Sequence, residues 1–162
     1  MIFGGWQLGG ILTFQDGFPN TMYCGPGNIQ NGGGYCKPDA VAGANPKLPK
    51  SQQTLNRFFN TDAYVDRVGV APGVTPTVFR YGTAGRNTVI GPGIASLDAS
   101  LNKMFRFQED RQTVELRGEF FNMPNHPIFG QPGGTLRTAT YGVISGTRVD
   151  NRQIQIALKY SF

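Results

Sequence analysis

Four stretches of the chain alternate polar and apolar residues with a period of two, the repeat that sends successive side chains to opposite faces of a β-strand. The last is the most regular. In RQIQIALKYSF, residues 152–162, Ile154, Ile156, Leu158, Tyr160 and Phe162 share one parity, and Gln153, Gln155, Ala157, Lys159 and Ser161 share the other. Residues 2–15 set Trp6, Leu8, Gly10, Leu12 and Phe14 against Gln7, Gly9, Thr13 and Gln15, with Ile11 the exception. Residues 94–107 set Leu97, Ala99, Leu101, Phe105 and Phe107 against Ser96, Asp98, Ser100, Asn102 and Arg106. Lys103 is the misfit on that apolar face, to be accommodated by snorkelling near the strand end or by a bulge that changes the parity. Residues 112–121 oppose Val114, Leu116, Gly118 and Phe120 to Thr113, Glu115, Arg117 and Glu119. The link Gln108–Arg111, QEDR, joins the two middle strands as an antiparallel hairpin.

The intervening stretches, residues 16–93 and 122–151, read as loops, punctuated by turn dipeptides such as Gly25-Pro26, Asn45-Pro46 and Gly91-Pro92. Within the first, SQQTLNRFF fits one short helix capped by Ser51, with Leu55, Phe58 and Phe59 packed inward. A connection this long does not suit a compact soluble domain, but it is ordinary for the outer loops of a membrane barrel. Links that run long, short, long predict a strand up, an outer loop, a strand down, a periplasmic turn, a strand up, a second outer loop and a final strand down. Trp6, Phe105, Phe107, Tyr160 and Phe162 then gather at the periplasmic rim as an aromatic girdle. Phe14 lies about 26 Å from Trp6 along the strand, or about 20 Å along the membrane normal at a barrel tilt, which suits the second girdle.

Composition agrees with this picture. Gly (23) and Pro (11) fill about a fifth of the 162 residues, well above their usual share, which disfavours a helical bundle. Only 15% of residues are charged, against about 25% in soluble domains. Strands that show lipid on one face and water on the other average to a mean hydropathy near zero. No apolar run is long enough for a membrane-spanning helix. The opening MIFGGW lacks the basic and apolar segments of a signal peptide, so an export signal is expected outside this sequence. The net charge of +5 comes from Lys and Arg scattered singly, and no nucleic-acid partner is expected. Cys24 and Cys36 enclose a Gly-, Asn- and Pro-rich segment and read as a loop disulfide of an oxidising compartment, the alternative being two unpaired thiols.

The phrases GWQLGGILTFQDGFPNT, YGTAGRN, GPGIASLDASLNKMFRF, ELRGEFFNMPNHPIFG and RQIQIALKYSF resemble the C-terminal barrel region of TonB-dependent receptors. The likeness is to the Oar-like group, which carries a carboxypeptidase-regulatory-like domain at its N-terminus. It covers about residues 2–20 and 52–162, while Met22 to Lys50 matches nothing in that pattern. The resemblance implies a barrel of about 22 strands around a plug in a Gram-negative-type outer membrane. It also implies ligand passage driven by the TonB complex through N-terminal parts not recognisable here. Four strands cannot close a barrel, and open edges are not tolerated in a bilayer, so the chain is expected to be part of a larger wall. Outer-membrane lipid and the barrel-assembly machinery are the implied partners, and Phe162 would end a C-terminal sorting signal, as outer-membrane proteins generally end in an aromatic residue.

Other chemistry is weaker. Glu115 and Glu119 share a strand face with Arg117 between them, which cross-strand pairing in a wet lumen explains more simply than acid–base catalysis. Asp98, Arg106 and Lys159 fall on the same lumen-facing parity. His126 is the only histidine, so neither a triad nor a multi-histidine metal site is expected, and no cofactor is implied. Gly32–Gly34 before Lys37 lack phosphate-loop spacing. Tyr81–Asn87 offers backbone amides and Arg86 to an anion or, more simply, forms a structural turn. The expected fold is all-β, an incomplete antiparallel barrel of about four strands with long extracellular loops, and not an enzyme. The rival readings are a soluble or secreted β-rich binding module and a structural protein that assembles through open strand edges.

Overall fold

The computed structural model describes residues 4–24, 36–66, 81–107 and 111–162. The chain divides into two compact units, one made of Met1–Asp16, Gly93–Ile128 and Val149–Phe162, the other of Gly17–Pro92 and Phe129–Arg148. The first unit is a single antiparallel sheet. Its strands are β1 (Trp6–Gln15), β6 (Ile94–Phe107), β7 (Gln112–Phe121) and β8 (Gln153–Ser161), in that spatial order. Between β1 and β6 come four two-residue strands of the second unit: β2 (Pro19–Asn20), β3 (Asp39–Ala40), β4 (Tyr64–Val65) and β5 (Val89–Ile90). The sheet is open, with β1 and β8 as its edges.

The register follows the alternation. Trp6 faces Lys103 and Gln15 faces Ile94, with every residue between paired one to one. Ala99–Phe107 pair likewise with Phe120–Gln112, and Thr113–Phe121 with Ser161–Gln153. Directly opposed residues share a face, so the apolar parities of all four strands fall on one side. No bulge interrupts β6, and Lys103 stays in register on the apolar side. It does not snorkel into solvent either, being 3% exposed. Gly5, at φ +76°, turns the chain into β1; its carbonyl accepts the Met104 N–H at 2.9 Å, and a Cβ there would lie 2.6 Å from the Met104 oxygen. Only glycine fits so close to the neighbouring backbone.

The second unit corrects the reading of residues 16–93 as an irregular loop. Met22, Phe59, Ala63, Tyr64, Ala84, Val89 and Leu136 form a buried cluster. The Phe59 ring packs edge-on against Tyr64 and Tyr141, at 6.5 and 5.4 Å between centroids. β2 pairs with β5, and β3 with β4. The helix expected over residues 51–59 is only a 3-10 turn, Lys50–Gln52, entered from Pro49 with no side-chain cap. So short a segment lacks the turns that would offset helix nucleation. Its backbone is used laterally instead: Ile144 N–H donates to the Leu55 carbonyl at 2.8 Å, and Phe58 N–H to Gly142 at 2.9 Å. Phe59 is buried as expected, whereas Leu55 is exposed. The start of the 2–15 strand before Gly4, most of the QEDR turn, and Gly32–Gly34 lie outside the described residues.

Candidate functional site

The apolar side of the sheet presents a row of exposed large side chains. Leu8 is 78% exposed and Ile156 77%, and these two lie on one rung with Leu101 and Gly118 between them. Burying such side chains is worth about 1.5–3 kcal/mol each, so this face favours an apolar surrounding. At one end of this side Phe105, Val114 and Tyr160 form a rung. Trp6 lies one rung further in, opposite Lys103, and the Tyr160 and Phe162 rings stack at 5.7 Å. Trp6, Phe105, Phe107, Tyr160 and Phe162 are thus brought to the same end, and Phe14, opposite Ala95, to the other. The Lys103 ammonium sits 4.9 Å from the Trp6 ring centre and 5.2 Å from Phe105, and it donates to the Gly4 carbonyl. Two aromatic faces and a carbonyl offset the loss of water around that cation.

The opposite side carries the polar parity. Glu115 and Lys159 face one another directly, with Met104 on the far side of Glu115. Arg117 pairs with Glu119 along the same strand. Asn102, Arg117 and Ala157 form one rung, and Ser100, Glu119 and Gln155 the next. Arg106 stands opposite Thr113. Thus Asp98, Arg106, Glu115, Arg117, Glu119 and Lys159 share one face, which alternates the sign of charge.

Asp98 has a further role that parity alone does not reveal. Its Oδ1 accepts the Asn122 N–H at 2.8 Å, and Met123 N–H donates to Leu97 O at 2.8 Å. Asn122, buried at φ +49°, clasps the backbone of His126 in both directions: Nδ2 donates to the His126 carbonyl at 3.0 Å, and Oδ1 accepts its N–H at 3.1 Å. Asn125 in turn accepts the Arg152 N–H at 3.2 Å. The NMPNHP phrase is therefore a knot that ties β6, β7 and the approach to β8 together. The paired asparagines were the available signal, since Asn tolerates the left-handed region and bonds nearby backbone. His126 acts here through its main chain.

Among the described residues, two hollows bordering the sheet are of note. One, about 580 Å³, is lined from both faces around the aromatic end, including Trp6, Phe107, Arg106 and Glu115. The other, about 370 Å³, opens on the polar face at the opposite end, near Asp98, Phe121 and Asp150.

In the second unit the YGTAGRN stretch is structural. Thr83 N–H donates to Asp39 at 3.0 Å, Ala84 N–H to Pro38 O at 3.0 Å, and Asn87 N–H to Thr21 Oγ1 at 3.0 Å. Those amides are committed and form no anion cradle. Cys24 and Cys36 are joined in a disulfide, both buried. The Tyr141 hydroxyl donates to Thr61 O at 3.1 Å, and burial, helped by nearby Tyr64, Asp62 and Asp66, pushes its phenol well above the ordinary range.

A family model described as "Outer membrane beta barrel domain" matches residues 1–155. No curated protein and no solved structure matches the chain.

Proposed function

This chain belongs to the outer membrane beta barrel domain family and resides in the outer membrane, and from that premise we propose that it forms wall and outer loops of a TonB-dependent transporter that passes a ligand across that membrane. The single observation that carries the reading is the two-sided sheet: an uncovered apolar side, with aromatics gathered at one end, backs a side of alternating charges and amides. Lipid is the solvent for the first side and a wet passage for the second. The aromatic end is the periplasmic girdle, with Phe14 in the outer one. Both long segments leave from the end where Gln15 faces Ile94 and Phe121 faces Gln153, which makes them extracellular. The edges β1 and β8 pair with further strands of the same wall, because unpaired backbone is not tolerated in hydrocarbon. The energy comes from the TonB complex through N-terminal parts of the product, and no catalysis is assigned to the chain.

The test is photo-crosslinking of TonB to the natural gene product in energised cells. An adduct that disappears on collapse of the proton-motive force is the expected result. A product inserted in the outer membrane that gives no adduct overturns the TonB assignment while leaving the barrel reading intact.

A further inference from the structure

The hollow at the loop end of the polar face has a chemistry of its own. Ser96 and Asp98 from β6, Phe121 from β7, Gln153 from β8, and Asp150 and Asn151 from the approach to β8 line it, over Ile128 and Val149. At about 370 Å³ it is at the small end of the range for small-molecule pockets. Its side chains comprise two carboxylates, amides, a hydroxyl and one aromatic ring, with no Lys, Arg or His among them. The charges on its lining, Asp98 and Asp150, repel a phosphate or carboxylate ligand. Asp98 is held by the Asn122 N–H through one oxygen, and its other oxygen carries no hydrogen bond among the described residues. Gln153 leans on Asp150 at 3.4 Å, and Asp150 and Asn151 are exposed. Phe121 is the only aromatic residue on the polar side of the four strands. It is 39% exposed and directly opposite Gln153, so a ring face and a carboxamide lie side by side.

Acceptors that favour hydroxyl donors, amides that both donate and accept, and one apolar ring face together complement a pyranose, which offers hydroxyls around its rim and C–H groups on its face. We infer that this hollow binds a neutral saccharide of one or two rings. As the uptake site for the passage the inference rests on the reading of the polar face as the wet one, but binding itself is measurable without transport or TonB.

The test uses the natural gene product in a sugar-free detergent, titrated calorimetrically with D-glucose, D-galactose and their β-linked disaccharides, with putrescine and inorganic phosphate as cationic and anionic comparisons. Saturable binding of at least one sugar with Kd of about 1 mM or tighter is expected. Phe121→Ala should weaken it by about tenfold. Asp150→Asn, outside the strands and therefore safe for folding, should weaken it several-fold. Failure of every sugar to saturate on a folded barrel, tighter binding of putrescine or phosphate than of any sugar, or sugar binding indifferent to both variants overturns the proposal. A TonB adduct without sugar binding sinks this inference alone, and sugar binding without an adduct sinks only the TonB assignment.

Discussion

The sheet and the loop unit solve the same problem, hiding apolar surface from water, in opposite ways. In the sheet every apolar side chain of β8 is exposed, and the strands are held to one another by backbone hydrogen bonding. In the loop unit Met22 and Phe59 are almost wholly buried, a disulfide closes one segment, and backbone bonds link residues far apart in sequence, such as Tyr23 N–H to Gly134 O at 2.8 Å. The first unit needs an apolar solvent, and the second carries its own. Stability in the two regions should therefore respond to different perturbations.

The largest separation is expected from Phe59→Ala. Removing that ring should destabilise the loop unit by about 3–5 kcal/mol, read as protease cleavage within residues 17–92 while the far-ultraviolet β-signal persists. Loss of both together would show that the units do not differ as described. A charge on the apolar side should come next: Ile156→Arg is expected to cost about 2–4 kcal/mol in folding into phospholipid vesicles, whereas Gln155→Arg, one residue away on the polar side, should stay within about 0.5 kcal/mol. Equal costs would break the assignment of faces. Asn122→Ala removes both side-chain bonds to His126 and leaves a left-handed backbone, for about 1–2 kcal/mol in a denaturant titration. An unchanged midpoint would deny the knot its role.

The smallest effect at neutral pH concerns Tyr141. Its phenol is held neutral in the folded unit, so its contribution is fully present below the unfolded value of 10.0 and is lost as pH climbs beyond it. Phenolate absorbance should show late titration of Tyr141, lost in Tyr141→Phe, that coincides with opening of the loop unit. Titration of all six tyrosines near the ordinary value would contradict the burial of Tyr141.

The four strands and their faces were legible in the sequence because alternation is local: Gln155 and Ile156 differ in face whatever their neighbours do. The gathering of Trp6 with Phe105 and Tyr160 followed from parity and link lengths together. The loop unit was not legible. Its core joins Met22 to Phe59, Tyr64 and Leu136, residues with no shared period, so nothing in a short window marks them. Pro and Gly read as breakers of structure, while in fact Gly82 and Pro38 lie in close backbone contact. Asp98 read as a lumen charge because its parity said so, and its hold on Asn122 depends on β6 and the end of β7 being adjacent.

The sequence by itself determined which side chains share the apolar face and which the polar face along each strand, since a period of two needs no partner to express it. Tertiary structure alone decided that Lys103 would sit between two aromatic rings, that the long segment would build a core, and that Asp98, Phe121 and Asp150 would border one hollow. Each of those depends on segments far apart in the chain arriving at one place, and the free energy of such meetings resides in the contact and not in either segment.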